Sequence, residues 1–353
     1  MVSRSASRNF APAVAIPPGE TIRENMKHLG MSQKELAIRL EMSQKHLSNI
    51  INGKEPITYE TALRLEIVIG PKAQFWMNLE TNYQLHKTRL ERAEAQKRDL
   101  EMLRSIPYND MSKLGWVEKT SDRMQRVSNL RRFFGVNSLG SIEASTNVLF
   151  RKHKHSRGIS DMGVLAWVRK AELEGLSVEV EEFDRGKLKK LVPTFRRLTM
   201  KSPDEFYPET KQLCAECGVA LVIVESLPRT YICGATIWRN NKAILALSVR
   251  GKRSDIFWFT FFHELAHLIN HPKKVSAVSF EEDADQIACD YLIPEASYHE
   301  FVQKYDYTDK KKIKEYAHAI GIAPCILVGR LLHDKLIDYS SYSDMRPPFS
   351  VPR

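Results

Sequence analysis

The chain has 353 residues, 43% hydrophobic and 27% charged, ordinary values for a soluble globular protein of two or three domains. Its net charge of +10 and pI of about 9.2 suit a polyanionic partner, though charge alone does not establish one. The five cysteines are an odd number without framework spacing, which argues against a disulfide scaffold and for a reducing cytoplasm.

The first residues, MVSRSASRNFAPAVAIPPGE, hold no sustained apolar run, so no signal peptide is read there. The longest apolar stretch, Ile256 to Leu268, is too short and too polar to span a bilayer, and no membrane partner is expected. Residues 1–16 read as a disordered tail. Helices are predicted over Thr21–Leu29, Ser32–Leu40, Ser43–Ile51 and Thr58–Ile69. Ser32 is placed as an N-cap, with Glu35 completing a capping box. Asn52-Gly53 and Gly70-Pro71 are stop signals. A further helix runs from Gln74 to about Leu103 and becomes highly charged after His86, as a solvated connector would.

Between 105 and 210 the pattern is helical but less regular, broken by the basic loop RKHKHSRG. Arg123, Arg126, Arg131, Arg132, Arg151, Lys152 and Lys154 read as a solvated face rather than a nucleic-acid surface. Trp116, Trp167, Phe133 and Phe134 sit at helical spacing and are core candidates. Cys214-x-x-Cys217 has no second pair and reads as buried thiols. The character then changes. ALVIVES (220–226), GATIWR (234–239) and KAILALS (242–248) are short, β-branched-rich runs bounded by Gly, Pro and Asn, and predict strands. The segment FWFTFFHELAHLINH (257–271) is a helix, EEDADQIACDYLI (281–293) another, and 309–338 one or two more. No internal repeat is evident, and 341–353 reads as a tail.

His263, Glu264 and His267 form H-E-x-x-H. Positions i and i+4 share one helix face, so two imidazoles there can reach one zinc ion (Zn2+). Glu264 then sits beside the open coordination position as the catalytic base for a water that the zinc acidifies. The flanks Phe257, Trp258, Phe259, Phe261, Phe262, Leu265, Ala266, Leu268 and Ile269 make the helix apolar nearly all round, so it should be buried. A buried His–Glu cluster needs partners, and a metal supplies them. The third ligand is expected from the acidic helix start at 281–285. Glu281 can bind the metal while Asp285, on the same face, orients a ligand histidine through its other ring nitrogen. His271 continues the row, as a neighbour of the ligands, a substrate contact or a histidine facing the helix dipole.

HELAHLINH followed by EEDADQIACDYLIP resembles the ImmA/IrrE family of bacterial metallopeptidases. Aligning Ala284 and Ala288 with the family's second helix places its ligand glutamate on Glu281. The resemblance runs from about residue 210 to 338, including GIAPCILVGRLLHDKLI. It implies a zincin-like α+β fold, zinc, and a protein substrate such as a repressor, antitoxin or related regulatory protein.

MSQKELAIRLEMSQKHLSNIINGKEPITYETALRLEIVIG has the cadence of a helix-turn-helix, with Glu41-Met42 as the turn and Ser43–Ile51 as recognition helix. Leu36, Ala37, Leu40, Leu47, Ile50 and Leu63 are its expected core. Ser43, Gln44, Lys45, His46, Ser48 and Asn49 are left for base edges, and Gln33, Lys34 and Lys54 for phosphates. Residues 16–86 resemble the lambda-repressor-like class, close to its HigA branch, which implies a homodimer on an operator in double-stranded DNA and contact with a toxin. The expected organisation is therefore α+β overall. It comprises an all-α DNA-binding domain (17–85), a helical connector (86–205) and a zincin-like domain (206–340). The function expected is a DNA-binding regulator with a zinc endopeptidase domain; the alternative is a HigA-like antitoxin and autorepressor whose zinc domain binds a toxin without hydrolysis.

Overall fold

The computed structural model describes residues 14–145, 161–239, 241–248, 253–271 and 281–349. The expected tail over 1–13, the basic loop at 151–158 and the last four residues lie outside these. The chain divides into two compact units, Met1–Glu101 and Met102–Arg353.

The first unit is all helical: α1 (Gly19–His28), α2 (Gln33–Arg39), α3 (Gln44–Ile51), α4 (Tyr59–Ile69) and α5 (Ala73–Met102), which ends where the units divide. Hydroxyl caps start three of these helices. Ser32, Ser43 and Thr58 each have extended backbone and accept the amide of the residue three further on. The capping box at Ser32 is only half made, because Glu35 turns its carboxylate to Arg39 at 2.7 Å. The α2–α3 turn pivots on Glu41 in the left-handed region, φ 52°. The core gathers Ile22, Leu36, Ala37, Leu40, Leu47, Ile50, Ile51, Ile57, Ala62, Leu65 and Trp76. Leu63, expected there, is 57% exposed. On α4 the inward stripe is Thr61, Ala62 and Leu65, which turns Tyr59, Leu63 and Ile67 outward.

The second unit opens with α6 (Tyr108–Lys113), α7 (Arg123–Phe134), α8 (Ile142–Ser145), α9 (Asp161–Ser177), α10 (Arg185–Lys190), α11 (Val192–Leu198) and α12 (Pro203–Ala215). Strands β1 (Val219–Val224), β2 (Gly234–Arg239) and β3 (Lys242–Ser248) make one sheet in the order β1-β3-β2. β1 runs parallel to β3 and β2 antiparallel to it, so β2 is an edge. Then come α13 (Ser254–Asn270), α14 (Glu281–Leu292), α15 (Glu295–Lys304), α16 (Lys310–Ala319) and α17 (Pro324–His333). The architecture is α+β, mostly helical around a small sheet.

The sheet is covered on both faces, which explains why β1 and β3 read as unbroken apolar runs. Ala220, Val222, Val224, Ile244 and Ala246 face Trp167, Val168 and Ala171 of α9. The alternate residues Val219, Leu221, Ala243, Leu245 and Leu247 join the larger core with Phe257, Trp258, Phe261, Phe262 and Leu265 of α13. The span 86–205, expected to be a connector, is therefore revised. Only 86–101 belongs to the first unit, and 102–205 is part of the second. Within it α9 covers one sheet face, and Leu188, Phe195 and Leu198 enter the main core. The pattern hid this because amphipathic helices that cover a sheet have the same period as helices that bridge domains.

The C-terminal residues depart from expectation too. Residues 341–349 are no free tail. Tyr342, Met345, Arg346 and Phe349 are buried, and the Phe349 ring lies 4.4 Å from that of Phe257. Arg346 is paired with Asp255 at 2.6 Å out of solvent, and Pro348 bridges to Arg253.

One geometry occurs twice. Residues 316–323 repeat the turn of residues 36–43 at a constant offset. Met42 N–H donates to Ala37 C=O at 3.0 Å, and Ile322 N–H to Ala317 C=O at 3.0 Å. Glu41 and Gly321 both have positive φ, and Ser43 and Ala323 both precede their helices in extended conformation. In the second copy, however, Cys325, Ile326, Leu327, Val328, Leu331 and Leu332 bury the helix after the turn.

Among the described residues no single helix is long and apolar enough to cross a membrane. If residues 341–349 stabilise the second unit, Phe349→Ala will cost about 3 kcal/mol, the range for deleting a buried ring. Urea unfolding followed by tryptophan fluorescence measures this, and an unchanged midpoint would mean that the segment is dispensable.

Candidate functional site

Helix α13 is held on several sides. The apolar residues of its Phe-rich segment pack on β3, α14 and α17, leaving a single polar row. In that row His263 and His267 are mostly covered, while Glu264 and His271 are buried. The Nε2 atoms of His263 and His267 stand 3.1 Å apart. Glu281, at the start of α14, brings one oxygen to 3.3 Å from His263 Nε2 and the other to 3.8 Å from His267 Nε2. These three residues form a group able to hold a metal ion. Four ligands at about 2.0–2.1 Å around a tetrahedral ion are separated by about 3.3 Å, so the spacing of the three donors fits such an ion.

The second ring nitrogens are also occupied. His263 Nδ1 faces Asp285 Oδ1 at 2.8 Å, which leaves Nε2 as the lone-pair donor. His267 Nδ1 lies 2.8 Å from Nδ1 of His271, whose Nε2 faces Asp283 Oδ2 at 2.8 Å. His271 thus joins a ligand candidate to Asp283, another carboxylate of the acidic helix start. Burial would push the His263 imidazole down, but hydrogen bonds to Asp285 and Glu281 outweigh it and push it up to about 10. Burial, followed by the charge of His263, pushes His267 down to about 4. Two imidazoles this close share one positive charge rather than carrying two, which is the electrostatic setting a divalent cation replaces.

Glu264 lies on the inner side of the row. Burial pushes its carboxyl up to about 7, against the pull of His263 and of a hydrogen bond from Thr236. Thr236 Oγ1 donates to Glu264 Oε2 at 2.7 Å from the edge strand β2. Two residues earlier, Gly234 lets the strand pass against the same carboxylate. A Cβ there would lie 2.8 Å from Glu264 Oε1 and from Thr260 Cγ2. Neither Thr236 nor Gly234 was legible in advance, because 28 residues separate Thr236 from Glu264 and no spacing rule joins a strand edge to a helix.

In the first unit α3 presents a polar face. Gln44, Lys45 and Lys54 are exposed, as are Lys34 and Ser43, while Gln33 is half-buried. The Ser43 hydroxyl caps α3 by accepting from His46 N–H at 3.1 Å, and Ser48 Oγ accepts from Asn52 Nδ2 at 3.3 Å. His46 and Asn49 both bind Glu55, in the loop that follows α3. Glu55 was absent from the sequence reading. The two sets of site residues lie in separate units.

Comparison with known proteins agrees with this division. A helix-turn-helix family model matches residues 22–72, and the IrrE N-terminal-like domain model matches residues 218–322. The virulence-associated protein I of Dichelobacter nodosus is 40% identical over 85 residues, 24% of this chain and 77% of that protein. The HTH-type transcriptional regulator YddM of Escherichia coli is 34% identical over 90 residues, 25% of this chain and 88% of that protein. A solved structure of the Pseudomonas aeruginosa antitoxin HigA with the higBA promoter matches at 30% identity and a TM-score of 0.22, over 23% of this chain and 89% of that one. The chain belongs to the helix-turn-helix family of DNA-binding transcriptional regulators, joined here to an IrrE N-terminal-like domain.

Proposed function

We propose that this regulator carries a zinc-dependent endopeptidase in its second unit, which cleaves a repressor, an antitoxin or a related regulatory protein. The observation that supports this most is Glu264. A carboxylate used only to fill space would not be buried, moved to about 7 and hydrogen-bonded by Thr236 beside a two-histidine, one-glutamate group.

In this reading His263, His267 and Glu281 hold the zinc, and Asp285 and His271 fix the rings of the two histidines. When bound, zinc supplies the positive charge that acidifies water and polarises a peptide carbonyl. Glu264 accepts a proton from the attacking water and returns it to the departing amine, a task suited to a group titrating near neutrality. Thr236 holds the carboxylate in the orientation that both transfers need. The first unit, as a homodimer, places α3 in the major groove of two half-sites. Gln44, Lys45, His46, Ser48 and Asn49 face bases there, with Ser43 at the helix start, and Gln33, Lys34 and Lys54 face phosphates.

Three outcomes are expected. Native protein dialysed after zinc loading holds about one ion per chain by elemental analysis. His267→Ala holds none, and Asp285→Asn binds roughly 10–100-fold more weakly. Glu264→Gln keeps its zinc but cleaves a repressor or antitoxin substrate at least about 100-fold more slowly than wild type, read as fragments by mass spectrometry. Cleavage by neither wild type nor Glu264→Gln would leave the unit as a binding module, the antitoxin-like alternative, and equal cleavage by both would remove Glu264 from the reaction. In binding assays on duplex DNA, Gln44→Ala flattens sequence preference, whereas Lys54→Ala weakens all sequences alike and lowers the salt slope by about one.

A further inference from the structure

The loop after α3 holds a group that the DNA-reading function has not yet used. Glu55 lies beyond the helix end, at Lys54-Glu55-Pro56. Its oxygen Oε1 accepts from Asn49 Nδ2 at 2.7 Å, and Oε2 is paired with His46 Nδ1. His46 and Asn49 are three residues apart, on one face of α3. The loop does not place Glu55 by chance. Its backbone returns to α3 through Lys54 N–H and Glu55 N–H, which donate to Asn49 C=O at 2.8 and 3.3 Å. The far end is anchored where Ile57 N–H donates to the buried Glu80 carboxylate at 3.0 Å. Glu55 is therefore fixed from both sides before any ligand arrives. The Asn49 hydrogen bond keeps its carboxyl below the usual carboxylate range, so it is ionised at neutral pH.

An ionised carboxylate only accepts hydrogen bonds. Asn49 must turn its amide nitrogen towards Glu55, which commits Oδ1 to the opposite side. His46 must carry its hydrogen on Nδ1, and in a neutral ring Nε2 is then an acceptor. Without Glu55 the asparagine amide can flip and the imidazole can change tautomer, so each group can present a donor or an acceptor. With Glu55 the asparagine presents an acceptor, and the Nδ1 hydrogen of His46 is committed to the carboxylate. In the major groove acceptors pair with the exocyclic amino groups, N6 of adenine and N4 of cytosine.

We propose that Glu55 is a positioning residue that sets the base preference of α3, holding Asn49 as an acceptor for an adenine or cytosine amino group and fixing the orientation of the His46 ring. This rests on the reading of α3 as the base-reading helix. Glu55 touches no base itself. Its effect should therefore separate sequence discrimination from overall affinity, which a merely structural residue would not do.

The test is selection from a randomised duplex pool with the full-length, zinc-loaded chain, followed by binding measurements on the recovered consensus and on the unselected pool. Wild type is expected to enrich adenine or cytosine at the positions whose preference is lost in Asn49→Ala. Glu55→Ala is expected to lower discrimination at those positions roughly tenfold, on the order of one good base contact. Its affinity for the unselected pool should stay equal or rise, since a negative charge near phosphates is gone. Glu55→Gln, which retains one acceptor oxygen, should fall between and serves as the reading if Glu55→Ala fails to fold by circular dichroism. A wild-type consensus that Glu55→Ala and Glu55→Gln reproduce unchanged overturns the role of Glu55 alone. A wild-type chain that enriches no sequence overturns the DNA-reading assignment of α3 and the proposal with it.

Discussion

The second unit depends on one constraint: a helix packed by other elements on several sides can keep a polar row only if every member of the row is partnered. α13 meets that condition with groups drawn from two elements, α14 and β2. Asp285 and Glu281 come from α14, Asp283 reaches the row through His271, and Thr236 comes from the edge strand β2. Burial of imidazole and carboxylate in an apolar helix is costly without such partners. The sheet, α9 behind it and the C-terminal segment at Phe349 all hold the helix in register with them. The fold positions the site largely by positioning this helix.

The first unit solves a different problem. Its core is small, so the start of each reading element is specified locally, by serine and threonine caps and by one left-handed residue in the turn. Those devices leave the outward side chains of α3 without help from the core. Glu55 and the hydrogen bonds that anchor its loop supply the order that packing does not.

Much of this was legible in the chain. The H-E-x-x-H spacing grouped His263 and His267 because i and i+4 repeat a helix face, and their Nε2 atoms do stand 3.1 Å apart. The acidic start at 281 pointed to Glu281 and Asp285, and the structure brings both to His263. The three strands stand where the β-branched runs predicted them, within two residues. What failed depends on tertiary position. Leu63 has the chemistry of a core residue, but its helix turns it outward. The helices of 102–205 have the same amphipathic period whether they bridge or cover, and only the sheet decides which. Thr236, Gly234, Asp283 and Glu55 act across chain distances for which sequence has no spacing rule. The tail at 341–349 looked polar, while its anchors are a few aromatic and paired residues.

The duplicated turn bears on how such proteins are recognised. Hydrogen-bond pattern, backbone angles and residue spacing agree between 36–43 and 316–323, so the corner by itself does not mark a reader of nucleic acid. Solvent accessibility separates them: α3 keeps a polar side facing water, and α17 is walled in by aliphatic neighbours. The same corner between helices thus leads into an exposed polar helix in one unit and a buried apolar one in the other, and the side chains that follow it decide which.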